Sequence, residues 1–335
     1  MKRLTQRALF WPLATLALLI LLNAVFNPAF IMLSVRDGHL YGQLIDILNR
    51  AAPLMVVSLG MTLVIAVRGL DISVGAVVAI SAAVAAMLIG GSFNAGGEVA
   101  SEHPLWLALG AALAIAATCG LWNGLLVVKA GMQPIVATLI LMVAGRGIAQ
   151  LLTGGQIITV YYPPFQVIGS GFLAGLPVAL WIAAALWCVL QLAVSRTALG
   201  LFIRAIGGNP EAARVAGVRA GAITLCVYTF CGLAAGIAGL IVSSNVKSAD
   251  ANNAGQLLEL DAILAVSLGG TALTGGRFSL AGSVIGALII QTLTSTIYSL
   301  GFPPEINLVV KAALVFAVML LQSGEFRALF MRRAT

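Results

Sequence analysis

The residues that could do chemistry are few and far apart. There are two histidines, His39 and His103, and four cysteines, Cys119, Cys188, Cys226 and Cys231. No H-E-x-x-H pair, metal triad or Ser-His-Asp set can be built from them. No two cysteines have C-x-x-C spacing, and all four lie in apolar stretches, where small packing residues are expected. Residues 270–276 (GTALTGG) are glycine-rich, but Arg277 follows in place of Lys-Ser or Lys-Thr. The phosphate-cradling G-x-x-x-x-G-K-[ST] pattern is therefore missing. The chain is expected to hold no metal or cofactor of its own, and any ATP it uses must sit on another chain. What is left is the chemistry of recognition: scattered amides, carboxylates and guanidiniums that can exchange hydrogen bonds with a polar solute.

The elements that must position these groups are transmembrane helices. The chain has 335 residues, of which 61% are hydrophobic and 9% charged. A soluble domain carries about a quarter charged residues, so a water-covered enzyme is excluded and a single polytopic membrane domain, 1–335, is expected. Spans need about 20 mostly apolar residues. Apolar stretches with at most one charged residue each, at 8–26, 47–67, 73–90, 105–128, 134–152, 177–194, 221–243, 260–272, 280–300 and 306–322, give about ten, the eighth short enough to be a half-helix. Lys2, Arg3 and Arg7 precede the first run as in a signal peptide, but no small-x-small cleavage site follows, and a retained helix is expected.

Charge sorts with this count. With the N-terminus inside and sides alternating, thirteen of the eighteen basic residues fall inside and four outside, leaving Arg146 within a span. Eight of the eleven acidic residues fall outside. This is the positive-inside pattern, and it puts both termini in the cytoplasm. The net charge of +7 is thus an orientation signal; the basic residues form no run that would read nucleic acid.

The polar candidates can now be placed. Arg146 lies about 18 Å along its helix from Pro134, past the midplane. It is either a structural ion pair, with Glu259 or Asp261 as partner, or a wall of the solute path. Gln150 is one turn away on the same face. Asp71, two residues before Ser73, can cap the third helix through backbone N–H groups or serve transport. Asn49 and Arg50 lie at the outer mouth, and Asn252 and Asn253 in the long outer loop. Asp71 and Asp261 fall near opposite faces, so they cannot share a proton as a protease dyad.

The longest charged loop, 195–220, faces inside. Gly207-Gly208-Asn209-Pro210 is a turn signal. Asn209 can cap a helix over 210–216 whose first position is Pro210, with Glu211 near its positive end and Gly217 at its stop. This amphipathic helix carries Arg214 and is where a soluble partner would push on the bundle. Elsewhere Gly120-x-x-x-Gly124, Gly232-x-x-x-Gly236 and Gly282-x-x-x-Gly286 let helix backbones approach closely. Ser58-Leu59-Gly60-x-Thr62 with Arg68, and Ser267-Leu268-Gly269-x-Thr271 with Arg277, repeat at one constant offset, as in transporters built from repeated halves.

Residues 205–218 (AIGGNPEAARVAGV) closely resemble the cytoplasmic signature of sugar-uptake ABC permeases of the ribose, xylose and branched-chain amino-acid permease family. Residues 69–75 (GLDISVG) resemble that family's G-x-D-[LI]-S-V-G motif, and 259–263 (ELDAI) with 269–277 (GGTALTGGR) its third signature. Residues 45–53 (IDILNRAAP), 249–255 (ADANNAG) and 301–305 (GFPPE) look most like galactofuranose permeases. Arg68 departs from the pattern, which has a small or polar residue there. The resemblance implies an all-α permease of a bacterial inner-membrane importer, without its own nucleotide site. ATP and Mg would sit on a cytoplasmic ABC ATPase, sugar would arrive on a periplasmic binding protein, and a second permease chain, identical or related, would complete the dimer. Arg204, Gly207, Asn209, Pro210, Glu211, Ala213, Arg214 and Gly217 would then form the coupling segment. Asn49, Arg50, Asp71, Ser73, Arg146, Gln150, Asn252, Asn253, Glu259 and Asp261 are the candidates for the path or its polar supports. The competing reading is an ion-coupled secondary sugar carrier, with Arg146 and the outer acids as its relay.

Overall fold

The computed structural model describes residues 9–36, 38–90, 92–93, 99–301, 303, 306–313 and 316. Among them the chain is a helical bundle, with strands of only two or three residues. Six helices are long and apolar enough to cross a bilayer: α2 (Gln43–Ala66), α4 (Leu105–Val128), α5 (Pro134–Leu152), α7 (Val178–Arg196), α10 (Ala220–Val246) and α12 (Leu280–Ser299). Each matches one of the expected spans. Helix α1 (Phe10–Phe26), α3 (Val74–Ile89) and α11 (Leu258–Leu268) are apolar but shorter. Residues 306–313 are helical; the rest of the tenth expected span and both termini fall wholly or largely outside the described residues.

The helices between spans are too short to stand out as spans. Helix α6 (Pro163–Ser170) starts on Pro163 and docks on α10, where the Ser244 hydroxyl accepts from the Gly169 N–H and donates to the Phe165 carbonyl, both at 2.7 Å. Helix α8 (Leu199–Gly208) and α9 (Pro210–Val215) occupy the long charged loop.

Helices α2, α3 and α10 form the centre. Every residue of α3 from Val74 to Ala86 is buried, as expected of a helix apolar on all sides and surrounded by others. Outer helices instead leave large side chains such as Trp106, Val143 and Val189 exposed, which suits lipid or a second chain. The three small-x-x-x-small pairs sit at close crossings. A Cβ on Gly120 would strike the Tyr228 carbonyl, one on Gly232 the Ala116 carbonyl, and one on Gly286 the Ala265 carbonyl.

Reversals assigned to the same side by charge touch one another. At one end the Gly276 N–H donates to the Ala66 carbonyl at 2.9 Å, and Arg68 reaches the backbone of Gly207 and Gly208. The two repeated segments therefore finish side by side against the charged loop. At the other end the Leu40 N–H donates to Gly175, and Ile158–Thr159 pairs antiparallel with Ser248–Ala249.

Helices α3 and α11 are both too short for a ~30 Å core, at about 24 and 16 Å. Their N-terminal turns abut: a Cβ on Gly75 would collide with the Glu259 carboxylate and the Gly255 carbonyl. Glycine is required there because the other half-helix occupies that space.

Candidate functional site

The charged loop builds a rigid, outward-facing helix. The Asn209 Oδ1 accepts from the N–H groups of Glu211 and Ala212, each at 3.1 Å, and Pro210 fills the first helical position. This is the expected cap. The helix closes at Val215, one residue before the expected end, because Gly217 turns left-handed at φ +81 and the Val218 N–H returns to the Ala213 carbonyl. Ala213 is buried and pins the helix to the bundle. On the outer face Glu211 and Arg214 pair at 3.0 Å with both side chains largely in solvent, a contact worth little in stability, and Val215 beside them is exposed.

Behind it, Arg68 donates from Nε to the Gly207 carbonyl at 2.8 Å and from Nη2 to the Gly208 carbonyl at 2.5 Å. Gly207 packs so tightly that a Cβ would strike Ala66 and Gly276. Arg204 lies over the Phe278 ring with its guanidinium carbon 5.5 Å from the centroid. The charged loop, the end of α2 and the 270–279 turn are thus one contact. Arg68, the departure from the sequence pattern, is its clasp.

Asp71 and Ser73 belong to a second centre. Asp71 is buried; its Oδ1 accepts from the Ser73 N–H at 3.0 Å and the Ser73 hydroxyl at 2.6 Å. The bond closes a turn ahead of α3 and leaves the helix's own first turn free of a side-chain cap. Asn123 of α4 donates to the Ser73 hydroxyl at 2.8 Å and to Asp71 at 3.3 Å. The Tyr228 hydroxyl of α10 donates to the Leu70 carbonyl at 3.3 Å. Sequence reasoning missed Asn123, although it is the one amide in its span.

The third centre is an open cleft of about 400 Å³ between α5 and the start of α3 and α11, lined by Ala76, Met142, Val143, Arg146, Gly147, Gln150 and Glu259. Of the two readings open for Arg146, an ion pair with Glu259 or Asp261 is not formed. Its Nη1 donates to the backbone carbonyls of Ala251 at 3.1 Å and Ala254 at 2.6 Å, because the 250–257 turn folds its carbonyls toward α5. Gln150 donates to Asn252 Oδ1 at 2.6 Å. Asn253 and the N–H groups of Asn252 and Asn253 hold Asp250, whose carboxyl is kept below its ordinary range chiefly by the Asn253 side chain. So Arg146, Gln150, Asn252, Asn253 and Glu259 are brought to one place.

Asp261 goes elsewhere. It accepts from Lys311 at 2.7 Å, with both side chains mostly buried. Lys311 is thus a second cation inside the bundle. Asn49 and Arg50 stay on α2 outside the cleft lining.

The family described as "Branched-chain amino acid transport system / permease component" matches residues 43–319. The chain is 48% identical to the galactofuranose transporter permease protein YtfT of Escherichia coli (strain K12), over 97% of this chain and 94% of that one. It is 36% identical to the fructose import permease protein FruF of Bifidobacterium longum (strain NCC 2705), over 98% and 91%. It is 34% identical to the ribose import permease protein RbsC of Escherichia coli (strain K12), over 93% and 92%. No solved structure matches. With one family covering most of its length and relatives aligned end to end, the chain belongs to this family of transport-system permease components.

Proposed function

We propose that the chain is the membrane permease subunit of an ATP-driven, binding-protein-dependent sugar importer in a bacterial inner membrane, with galactofuranose or a related monosaccharide as its solute. The end-to-end identity to a galactofuranose permease carries this reading. The chain supplies the path and hydrolyses nothing. ATP and Mg belong to a cytoplasmic ABC ATPase, and sugar comes from a periplasmic binding protein. A second permease chain, identical or related, covers the apolar outer faces with lipid around it. About ten spans with both ends inside fit the charge sorting.

Helix α9 is the coupling helix in this reading. Its cap fixes where it starts, Ala213 fixes its seat, and Glu211 and Arg214 present charge to the ATPase. Arg204 and Gly207 link it to the 270–279 turn and to α2.

Reconstitution of the chain with its ATPase, binding protein and any second permease tests the proposal. Uptake should require ATP and every partner, and should persist when the proton gradient is collapsed. Uptake that survives without the ATPase and stops with the gradient would establish the ion-coupled carrier instead. Mass spectrometry of chains retained in mild detergent identifies the partners.

A further inference from the structure

We infer that the cleft between α5 and the abutting N-termini of α3 and α11 is a sugar-binding subsite of the translocation path, with Glu259 as hydrogen-bond acceptor and Arg146 and Gln150 as its polar wall. The inference rests on the permease reading and assigns its solute a place.

Three observations carry it. First, Glu259 is 5% exposed, lines the cleft, and its Oε2 has no hydrogen-bond partner among the described residues. A buried acceptor left unmatched is costly unless something supplies a donor. It packs against the first turn of α3 at Gly75 without a hydrogen bond from that turn. Second, Arg146 and Glu259 share the cleft without pairing. Among the described residues the ion pairs are Glu211–Arg214 and Asp261–Lys311. Arg146 uses Nη1 on two carbonyls, which fixes the guanidinium while Nε and Nη2 make no bond among the described residues. A guanidinium has five N–H donors, so donors remain.

Third, the size and charge suit a neutral polyol. The volume falls in the range of about 300–1,000 Å³ typical of small-molecule pockets. The lining carries one cation, Arg146, and one anion, Glu259, with Asp250 of the adjoining turn also facing Arg146, so the site has no cationic excess to favour a phosphate. Sugar hydroxyls each donate and accept, and an acceptor carboxylate facing donor guanidinium and amide groups answers both halves. The cleft lies where two half-helices interrupt the bundle, the place where irregular backbone is tolerated because it lines a path.

Gly147 provides the test. It lines the cleft, and a Cβ there meets nothing within 4 Å, so Gly147→Cys is sterically allowed. In the full transporter reconstituted with its partners, with Cys119, Cys188, Cys226 and Cys231 replaced by alanine, a bulky neutral maleimide on Gly147→Cys should block uptake. Binding-protein-stimulated ATP hydrolysis should continue. Glu259→Gln keeps the shape and removes the charged acceptor; it should slow uptake by about 10-fold, the loss of one charge-assisted hydrogen bond. It should also reorder the preference among sugars lacking single hydroxyls, which a structural role would not do. Labelled Gly147→Cys and Glu259→Gln that transport at the parental rate with the parental sugar ranking would overturn the subsite and leave the permease standing. A parental assembly that takes up no sugar with ATP would overturn the permease reading itself.

Discussion

Arg68 clasps Gly207: its Nε lies 2.8 Å from that carbonyl and its Nη2 2.5 Å from the next one at Gly208. Arg68 does so from a left-handed backbone at φ +65, where a side chain costs about 1–3 kcal/mol. The two bonds, made by a partly exposed guanidinium, return about 1 kcal/mol each. These nearly offset. Arg68→Gly should therefore leave thermal stability within a few degrees of the parent, yet cut the link between α2 and the coupling segment. The expected result is sugar uptake lowered severalfold with ATP hydrolysis maintained. Equal uptake per ATP in the variant would show that the clasp is only packing.

The cap on α9 is the next test of coupling. Asn209→Ala removes both N–H bonds and costs about 1 kcal/mol, a large fraction of what can hold a six-residue helix. Asn209→Asp keeps the acceptor. Uptake should fall in the alanine variant and recover in the aspartate variant, at equal membrane abundance of both. Loss in both would mean that the amide itself touches the ATPase.

Asp71 gathers three donor bonds in a buried place. Asp71→Ala leaves the Ser73 N–H and hydroxyl without their acceptor and Asn123 with Ser73 alone, and each buried unsatisfied group costs about 1–3 kcal/mol. Asp71→Asn retains an acceptor of the same shape. Size-exclusion profiles of detergent extracts should show the alanine variant aggregated or absent and the asparagine variant monodisperse. A monodisperse alanine variant with no uptake would move Asp71 from support of α3 to the transport step.

These contrasts mark how far the sequence could be read. The long spans were legible because a bilayer demands runs of apolar residues, and α2, α4, α5 and α10 follow them closely. The α9 cap was legible because Asn-Pro chemistry is local. Helices α6 and α8 were not, since short helices docked by tertiary contacts such as Ser244 with Gly169 carry no span-length signal. Arg146 stands out in the sequence as a charge within a span, but its partners are carbonyls of Ala251 and Ala254. Backbone acceptors are present at every residue, so no side-chain pattern can announce them. The meeting of Gly75 with Glu259 was hidden for the same reason: it joins two motifs distant in the chain.

Lys311 and Asp261 form a mostly buried pair at 2.7 Å. Desolvation opposes such a pair, so its net worth is small, but removing one partner strands the other at a cost of about 3–5 kcal/mol. The Asp261 side chain keeps some solvent contact, 21% exposed, which places the expectation at the lower end. Asp261→Asn and Lys311→Met should each lower the unfolding temperature and yield in detergent, and the double variant should recover most of the loss. If the two effects simply add, the ion pair is not what joins α11 to the 306–313 helix. If the double variant is stable but transports poorly, the pair is kept for movement of the half-helix α11, whose first turn carries both Asp261 and the cleft-facing Glu259.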